Sequence, residues 1–186
     1  MSDINESPLV KPFAAVFSRD CGHILAGLEG LNSIFAEEPD ILSPEFPVVE
    51  TAYYEKEMGT KLRKIYVSWP TDRSPEDLVE IKLAAMAWER NHALDGRRLA
   101  NLDPGYIFSG GLVLSTRKFR GHRLPLGRGL WGELTLNFYQ GQFMAFPWTY
   151  LDYQRPDIQV WLMMMRQAYM AGLRGDQKSR IARRYD

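Results

Sequence analysis

The apolar positions of this chain fall into alternating strand-like and helix-like runs through its first 108 residues. Phe13 to Phe17 is a short apolar run suited to a buried strand. Asp20-Cys21-Gly22 opens a helix in which Ile24, Leu28, Leu31 and Phe35 recur at i, i+4, i+7 and i+11 as one stripe, and Pro39 ends it. Phe46 to Tyr54 reads as extended, with Pro44 and Pro47 suiting a sheet edge. After a turn at Gly59-Thr60, Leu62, Lys64, Tyr66 and Ser68 alternate with Arg63, Ile65, Val67 and Trp69 in a strand. Ser74-Pro75-Glu76-Asp77 starts a second helix: Ser caps free amides, Pro sits where no amide partner is needed, and two acids face the positive end of the dipole. Leu78, Ile81, Ala85 and Trp88 form its predicted buried stripe, and Gly96 lies beyond its end. Arg97 to Ile107 is a further strand, interrupted at Pro104-Gly105.

This β-α-β-β-α-β order predicts an α+β fold with a ferredoxin-like N-terminal part. Strand and turn signals dominate afterwards. Leu112 to Phe119, His122 to Leu126, Leu130 to Tyr139 and Gln142 to Phe146 predict an antiparallel β-meander with a hairpin turn at Gln140-Gly141. A last helix runs from about Pro156 to Leu173, with Ile158, Trp161, Met165 and Tyr169 on one face. Val160, Met163, Met164 and Met170 widen its apolar surface, so it is either buried on two sides as a cover for the sheet or the contact of a homodimer. Residues 11–175 are expected to form one domain, between a flexible leader at 1–10 and a flexible basic tail at 176–186.

Composition narrows the class. At 186 residues, 45% hydrophobic and 25% charged, the chain matches an ordinary globular protein. Its 23 basic and 23 acidic residues cancel, so no overall field favours nucleic acid or an anionic membrane. Charge is nevertheless segregated: Glu37 to Glu57 holds seven acids and one Lys, whereas Arg117 to Arg128 holds five basic residues and no acid. A single cysteine, Cys21, excludes an internal disulfide. A polar N-terminus and the absence of any long apolar run predict a cytoplasmic protein that does not cross a membrane.

Several segments can carry chemistry, each with a plainer alternative. Gly127-Arg128-Gly129-Leu130-Trp131-Gly132 spells G-x-G-x-x-G, but a strand follows where a dinucleotide site needs a helix, so a hairpin is predicted. No G-x-x-x-x-G-K-[ST] occurs, which excludes a P-loop GTP site. Arg117-Lys118-Phe119-Arg120-Gly121-His122-Arg123 is either an anion site, with Lys118 and Arg123 as donors and His122 as acid–base group, or a solvated hairpin tip. Glu133 shares a predicted strand face with Trp131, Thr135, Asn137 and Tyr139, as a general base, a metal ligand or part of an exposed polar face. Glu55 and Glu57 share a face if extended, a carboxylate pair suited to Mg²⁺ or Mn²⁺, with an acidic surface edge as the alternative. Asp103-Pro104-Gly105 fits a type II turn in which Gly takes the positive φ.

Taken in order, these segments resemble a bacterial and archaeal family, domain of unknown function 4416. The similarity rests on Thr51 to Gly59, Ile81-Lys82-Leu83, Asn101-Leu102-Asp103-Pro104-Gly105-Tyr106, Ser115 to Lys118, His122-Arg123, Glu133 to Leu136 and Trp148 to Tyr153. Val49, Leu151 and Gln154 depart from the family pattern, where Asp, Pro and Arg are usual, so no role is placed on Val49 or Gln154. The resemblance implies no established activity, but it draws Lys82, Asn101, Asp103, Lys118, His122, Arg123 and Glu133 together as chemically capable positions on different elements.

The resulting expectation is an enzyme or binding protein with a polar cleft for a small anionic, phosphorylated or nucleotide-like ligand. Lys82, Asn101, Asp103, Lys118 and Arg123 are assigned to the ligand, and His122 and Glu133 to proton transfer. Glu55, Glu57 and Asp103 are assigned to a divalent metal, Mg²⁺ or Mn²⁺. The alternative is a non-enzymatic RNA-binding or protein-assembly module, with Phe119, Trp131 and Tyr139 as stacking groups.

Overall fold

The first strand, β1 (Lys11–Ser18), is buried along its whole length because helices cover it on both faces. The computed structural model describes residues 7–48 and 58–182, with side chains through residue 175. After β1 come α1 (Cys21–Phe35), β2 (Ile41–Leu42), β3 (Phe46–Pro47), β4 (Arg63–Ser68) and α2 (Leu78–Asn91), the last entered through a 3-10 turn at Pro75–Asp77. Then follow β5 (Asn101–Phe108), β6 (Gly111–Thr116), β7 (Leu124–Gly127), β8 (Leu130–Tyr139), β9 (Gln142–Ala145) and α3 (Pro156–Ala182).

The nine strands form one sheet with the order β2-β4-β1-β5-β6-β8-β7; β3 also pairs with β4 and β9 with β8, and every pairing is antiparallel. The protein is therefore α+β, as the pattern of elements predicts. Alternate side chains of β1 explain its two helical layers. Ala14 and Val16 face α1 and α2, packing with Ile24, Leu28, Leu31 and Ala85. Phe13 and Ala15 face α3, packing with Ile158, Leu162 and Met165. The stripe of α1 is buried as the sequence predicts, and Asp20 caps the helix by accepting from the Gly22 amide at 2.8 Å.

Helices α2 and α3 depart from their expected faces. In α2 the buried positions are Leu78, Lys82, Ala85 and Glu89, with Ile81 and Trp88 only partly covered. An i, i+7 pair of charges thus occupies a face that periodicity assigned to apolar residues. In α3 Leu162, not Trp161, completes the stripe with Ile158, Met165 and Tyr169, and the helix continues past Leu173 to Ala182. Val160 and Met164 remain exposed.

The later strands are antiparallel but not in sequential order. β6 pairs directly with β8, and β7 folds back outside β8 at the sheet margin. Pro125 in β7 lacks an amide to donate, so an edge suits it. Arg128 and Gly129 both take positive φ between the paired residues Gly127 and Leu130, which makes the glycine-rich segment a two-residue hairpin turn.

The Asp-Pro-Gly turn expected from sequence is corrected: Asp103, Pro104 and Gly105 lie within continuous β5, paired with Ala15, Ala14 and Phe13 of β1. Gly105 is not among the positive-φ glycines. It is needed for closeness instead, since a Cβ there would lie 2.2 Å from the Val113 carbonyl oxygen of β6. Gly105→Ala should therefore lower stability by about 1–3 kcal/mol in urea unfolding, the range for overpacking. Gly121→Ala, where a Cβ meets nothing within 4 Å, should stay close to the parent; equal stability of the two variants would refute the close-packing explanation.

Candidate functional site

Strands β5 and β6 pair only from Gly105↔Leu114 to Phe108↔Gly111, although β5 stays on β1 from Asn101 onward. Residues 101–104 thus have an open edge toward β6. Pro104 has no amide to extend the ladder, and its carbonyl oxygen accepts from Ser115 Oγ at 2.7 Å. Leu102 points both backbone groups into the same opening, where side chains of α2 replace a strand. Glu89 Oε1 accepts from the Leu102 amide at 2.7 Å, and Lys82 Nζ donates to the Leu102 carbonyl at 2.9 Å. The spacing of seven residues puts Lys82 and Glu89 on one helical face, so both reach the edge. Leaving those backbone groups buried and unpaired would cost free energy comparable to lost hydrogen bonds.

The wedge between the diverging strands is a cavity of about 310 Å³. Its lining includes Lys82, Glu89, Arg90, Arg98, Asn101, Asp103, Arg117, Lys118, Arg123, Glu133 and Tyr150. Six of these side chains are cationic and three are carboxylates. Each carboxylate has a cationic partner: Asp103 with Lys82 at 3.1 Å, Glu89 with Arg98 at 3.5 Å, and Glu133 with Arg123 at 2.6 Å. Among the described residues, cationic side chains therefore outnumber carboxylates in the lining.

Carboxylates in this site are perturbed in opposite directions. Burial pushes the Glu89 carboxyl above its usual range, and the opposing pull of Lys82 and the Leu102 amide does not offset it. Burial also acts upward on Asp103, but the Lys82 and Lys64 ammonium charges outweigh it and hold the carboxyl below its usual range. Burial, with Glu133 and Asp103 nearby, raises the Tyr150 phenol and keeps it neutral.

Glu133 reaches the site through a break in strand alternation. Leu112 pairs with Leu136 but Val113 pairs with Leu134, so β8 carries one extra residue at Thr135. The shift places Glu133 on the same face as core Leu136 instead of the polar face expected from simple alternation, and only 2% of it is exposed. Trp148 Nε1 donates to the Leu134 carbonyl at 3.0 Å and Thr149 Oγ1 to the Thr135 carbonyl at 2.5 Å, supplying partners where β7 and β9 leave β8 uncovered.

Glu133 Oε2 accepts from Arg123 Nε and meets His122 Nε2 at 2.9 Å. Arg123 also donates from Nη1 to the Lys118 carbonyl at 2.7 Å, closing the basic loop into a ring anchored on β8. His122 stacks on Trp148, with ring centres 4.7 Å apart and planes within 7°. It is not part of the cavity lining and touches the site through Glu133.

Asn101, Asp103, Lys82, Lys118, Arg123 and Glu133 therefore line one cavity, with His122 behind Glu133. Arg98 and Glu89 join them and were not recognised from sequence; the only available signal was the seven-residue spacing of Lys82 and Glu89 on a face otherwise apolar. Glu55 and Glu57 lie outside the described residues. Among the described residues, no group of three or more His, Cys, Asp or Glu side chains is placed to hold a metal ion. Beside the cavity, Lys64 is ion-paired with Asp152 in a smaller pocket that shares Asp103, Leu114 and Tyr150 with it.

An antiparallel sheet split by a polar, cationic cleft is thus the class of protein that fold and site define. The chain matches the family described as Domain of unknown function (DUF4416) over residues 8–169, and it belongs to that family. No curated protein matches it. Among the described residues, no helix is long and apolar enough to cross a membrane.

Two measurements probe the electrostatics. Glu133→Gln leaves the buried Arg123 guanidinium without its counter-charge and should cost about 3–5 kcal/mol in urea unfolding, whereas replacing both by Leu should cost less. If the double variant is the less stable one, the pair contributes more than its desolvation cost. For Glu89, the raised carboxyl pKa means that the folded state holds this proton more tightly than the unfolded chain, whose value is near 4.5. Its favourable contribution is complete below that value and is lost as pH rises through the folded pKa. Stability of Glu89→Gln relative to the parent should therefore increase from about pH 4 to about pH 7. A flat or falling difference would contradict this reading of Glu89.

Proposed function

We propose that this protein binds a small anionic ligand, phosphorylated or nucleotide-like, in the cleft between β5 and β6. The observation that carries the reading is the make-up of the lining: among the described residues, six cationic side chains face the cavity with three carboxylates. Arg117 and Lys118 are exposed at its rim, where a phosphate can approach from solvent. Arg123 holds the loop that presents them. If binding is followed by chemistry, the Glu133–His122 pair is the element able to carry a proton, because the two groups share a hydrogen bond.

A second reading, single-stranded RNA on the basic loop, draws on Phe119. This ring is 67% exposed and edge-on to Trp131, with centres 4.9 Å apart. It competes with the neutral net charge of the chain. RNA binding would weaken steeply with salt, in proportion to the phosphates contacted, whereas a single pyrophosphate would respond more shallowly.

Thermal unfolding with pyrophosphate at constant ionic strength tests the main reading. The midpoint should rise with ligand concentration, and Arg117→Ser with Lys118→Ser should weaken apparent affinity about tenfold or more. An unfolding midpoint indifferent to pyrophosphate, or an unaltered response in the double variant, would sink it.

A further inference from the structure

The cleft is graded from rim to floor. Arg90, Arg117 and Lys118 are exposed at the rim, whereas Lys82, Glu89 and Asn101 are buried at the floor. Asp103 stands beside them with 30% of its side chain exposed. A phosphate at the floor would lie against the Asp103 and Glu89 carboxylates, whereas at the rim it meets cations. The two ends therefore suit different chemical groups.

Two floor residues have hydrogen-bonding capacity left over. Asn101 Oδ1 accepts from Arg98 Nη1 at 2.6 Å, which orients the amide, and its buried Nδ2 interacts with the Asp103 carboxylate without making a hydrogen bond of ordinary geometry. Asp103 receives Lys82 on Oδ1, and a carboxylate has room for further donors on its other oxygen. Together they offer one donor and one acceptor. A hydroxyl group satisfies both at once, accepting from the amide and donating to the carboxylate. An ammonium group suits the floor poorly, because it can only donate and Lys82 already lies 3.1 Å from the same carboxylate. The volume of about 310 Å³ lies at the small end of ligand cavities and suits one ring with a phosphate.

We infer that the ligand is a hydroxylated phosphate of the sugar-phosphate class, with its phosphate at the Arg117–Lys118 rim and its hydroxyls on Asn101 and Asp103. This assignment rests on the anion-binding reading above and adds the identity of the ligand's other end. Asn101 and Asp103 act here as specificity groups, distinguishing ligands that carry the same phosphate.

Calorimetric titration of the full chain with ribose 5-phosphate and with pentyl phosphate, which lacks the hydroxyls, tests it. The parent should prefer ribose 5-phosphate by about tenfold, the scale of two modest hydrogen bonds. Asn101→Ala, checked for an unchanged circular dichroism spectrum, should reduce that preference to about threefold. Equal affinity of the parent for both phosphates would overturn the hydroxyl assignment and leave the anion reading standing. Binding of neither would overturn the anion reading and this inference with it. A parent preference undiminished in Asn101→Ala would also overturn the assignment, by placing the hydroxyls away from Asn101.

Discussion

Strand β5 cannot be paired on both sides along its whole length, because Pro104 has no amide to give to β6. The sheet opens there, and its exposed edge must be satisfied from elsewhere. Lys82 and Glu89 of α2 do this at Leu102, and Ser115 does it at Pro104 itself. Burying those two charged side chains then requires counter-charges: Asp103 stands against Lys82, and Arg98 against Glu89. One missing hydrogen bond thus accounts for much of the polar wall of the cleft. A stretch of sheet that would ordinarily be closed by a backbone ladder is closed by ionisable side chains, and their positions and charge states depend on that substitution.

A similar substitution occurs across the sheet on β8. Trp148 and Thr149 take carbonyls between the segments paired with β7 and β9, at the point where the extra residue shifts the alternation. The shift turns Glu133 inward, Arg123 follows it, and the Arg123 guanidinium closes the basic loop through the Lys118 carbonyl. Two irregularities on neighbouring parts of one sheet therefore meet at one cavity. The split in β5–β6 supplies its volume and floor, and the bulge in β8 supplies the anchor for its cationic rim.

The family-marking segment Asn101 to Tyr106 acquires a different meaning from the one its residue types imply. Asp-Pro-Gly reads locally as a turn, yet Pro104 limits the ladder and Gly105 permits β6 to approach. Each acts as its chemistry dictates, Pro104 by lacking an amide and Gly105 by lacking a side chain, but in an extended strand. Asn101 and Asp103 then project into the wedge that Pro104 creates. The same residues shape the opening and furnish its floor.

Sequence alone determined the elements governed by local periodicity and capping: the stripe of α1, the start of α2, the hairpin at Arg128-Gly129 and the antiparallel α+β class. It also drew Lys82, Asn101, Asp103, Lys118, Arg123 and Glu133 into one set through the family resemblance, without saying that they share a cavity. Only the tertiary structure decided that, since their meeting depends on contacts between residues 20 or more apart, such as Lys82 with Leu102 and Asp103. It decided too that Glu133 faces inward, because a single inserted residue reverses every side-chain direction beyond it while leaving composition unchanged. Glu89 and Arg98 were invisible for the same physical reason: a buried charge looks like a surface charge until its backbone and ionic partners are in place.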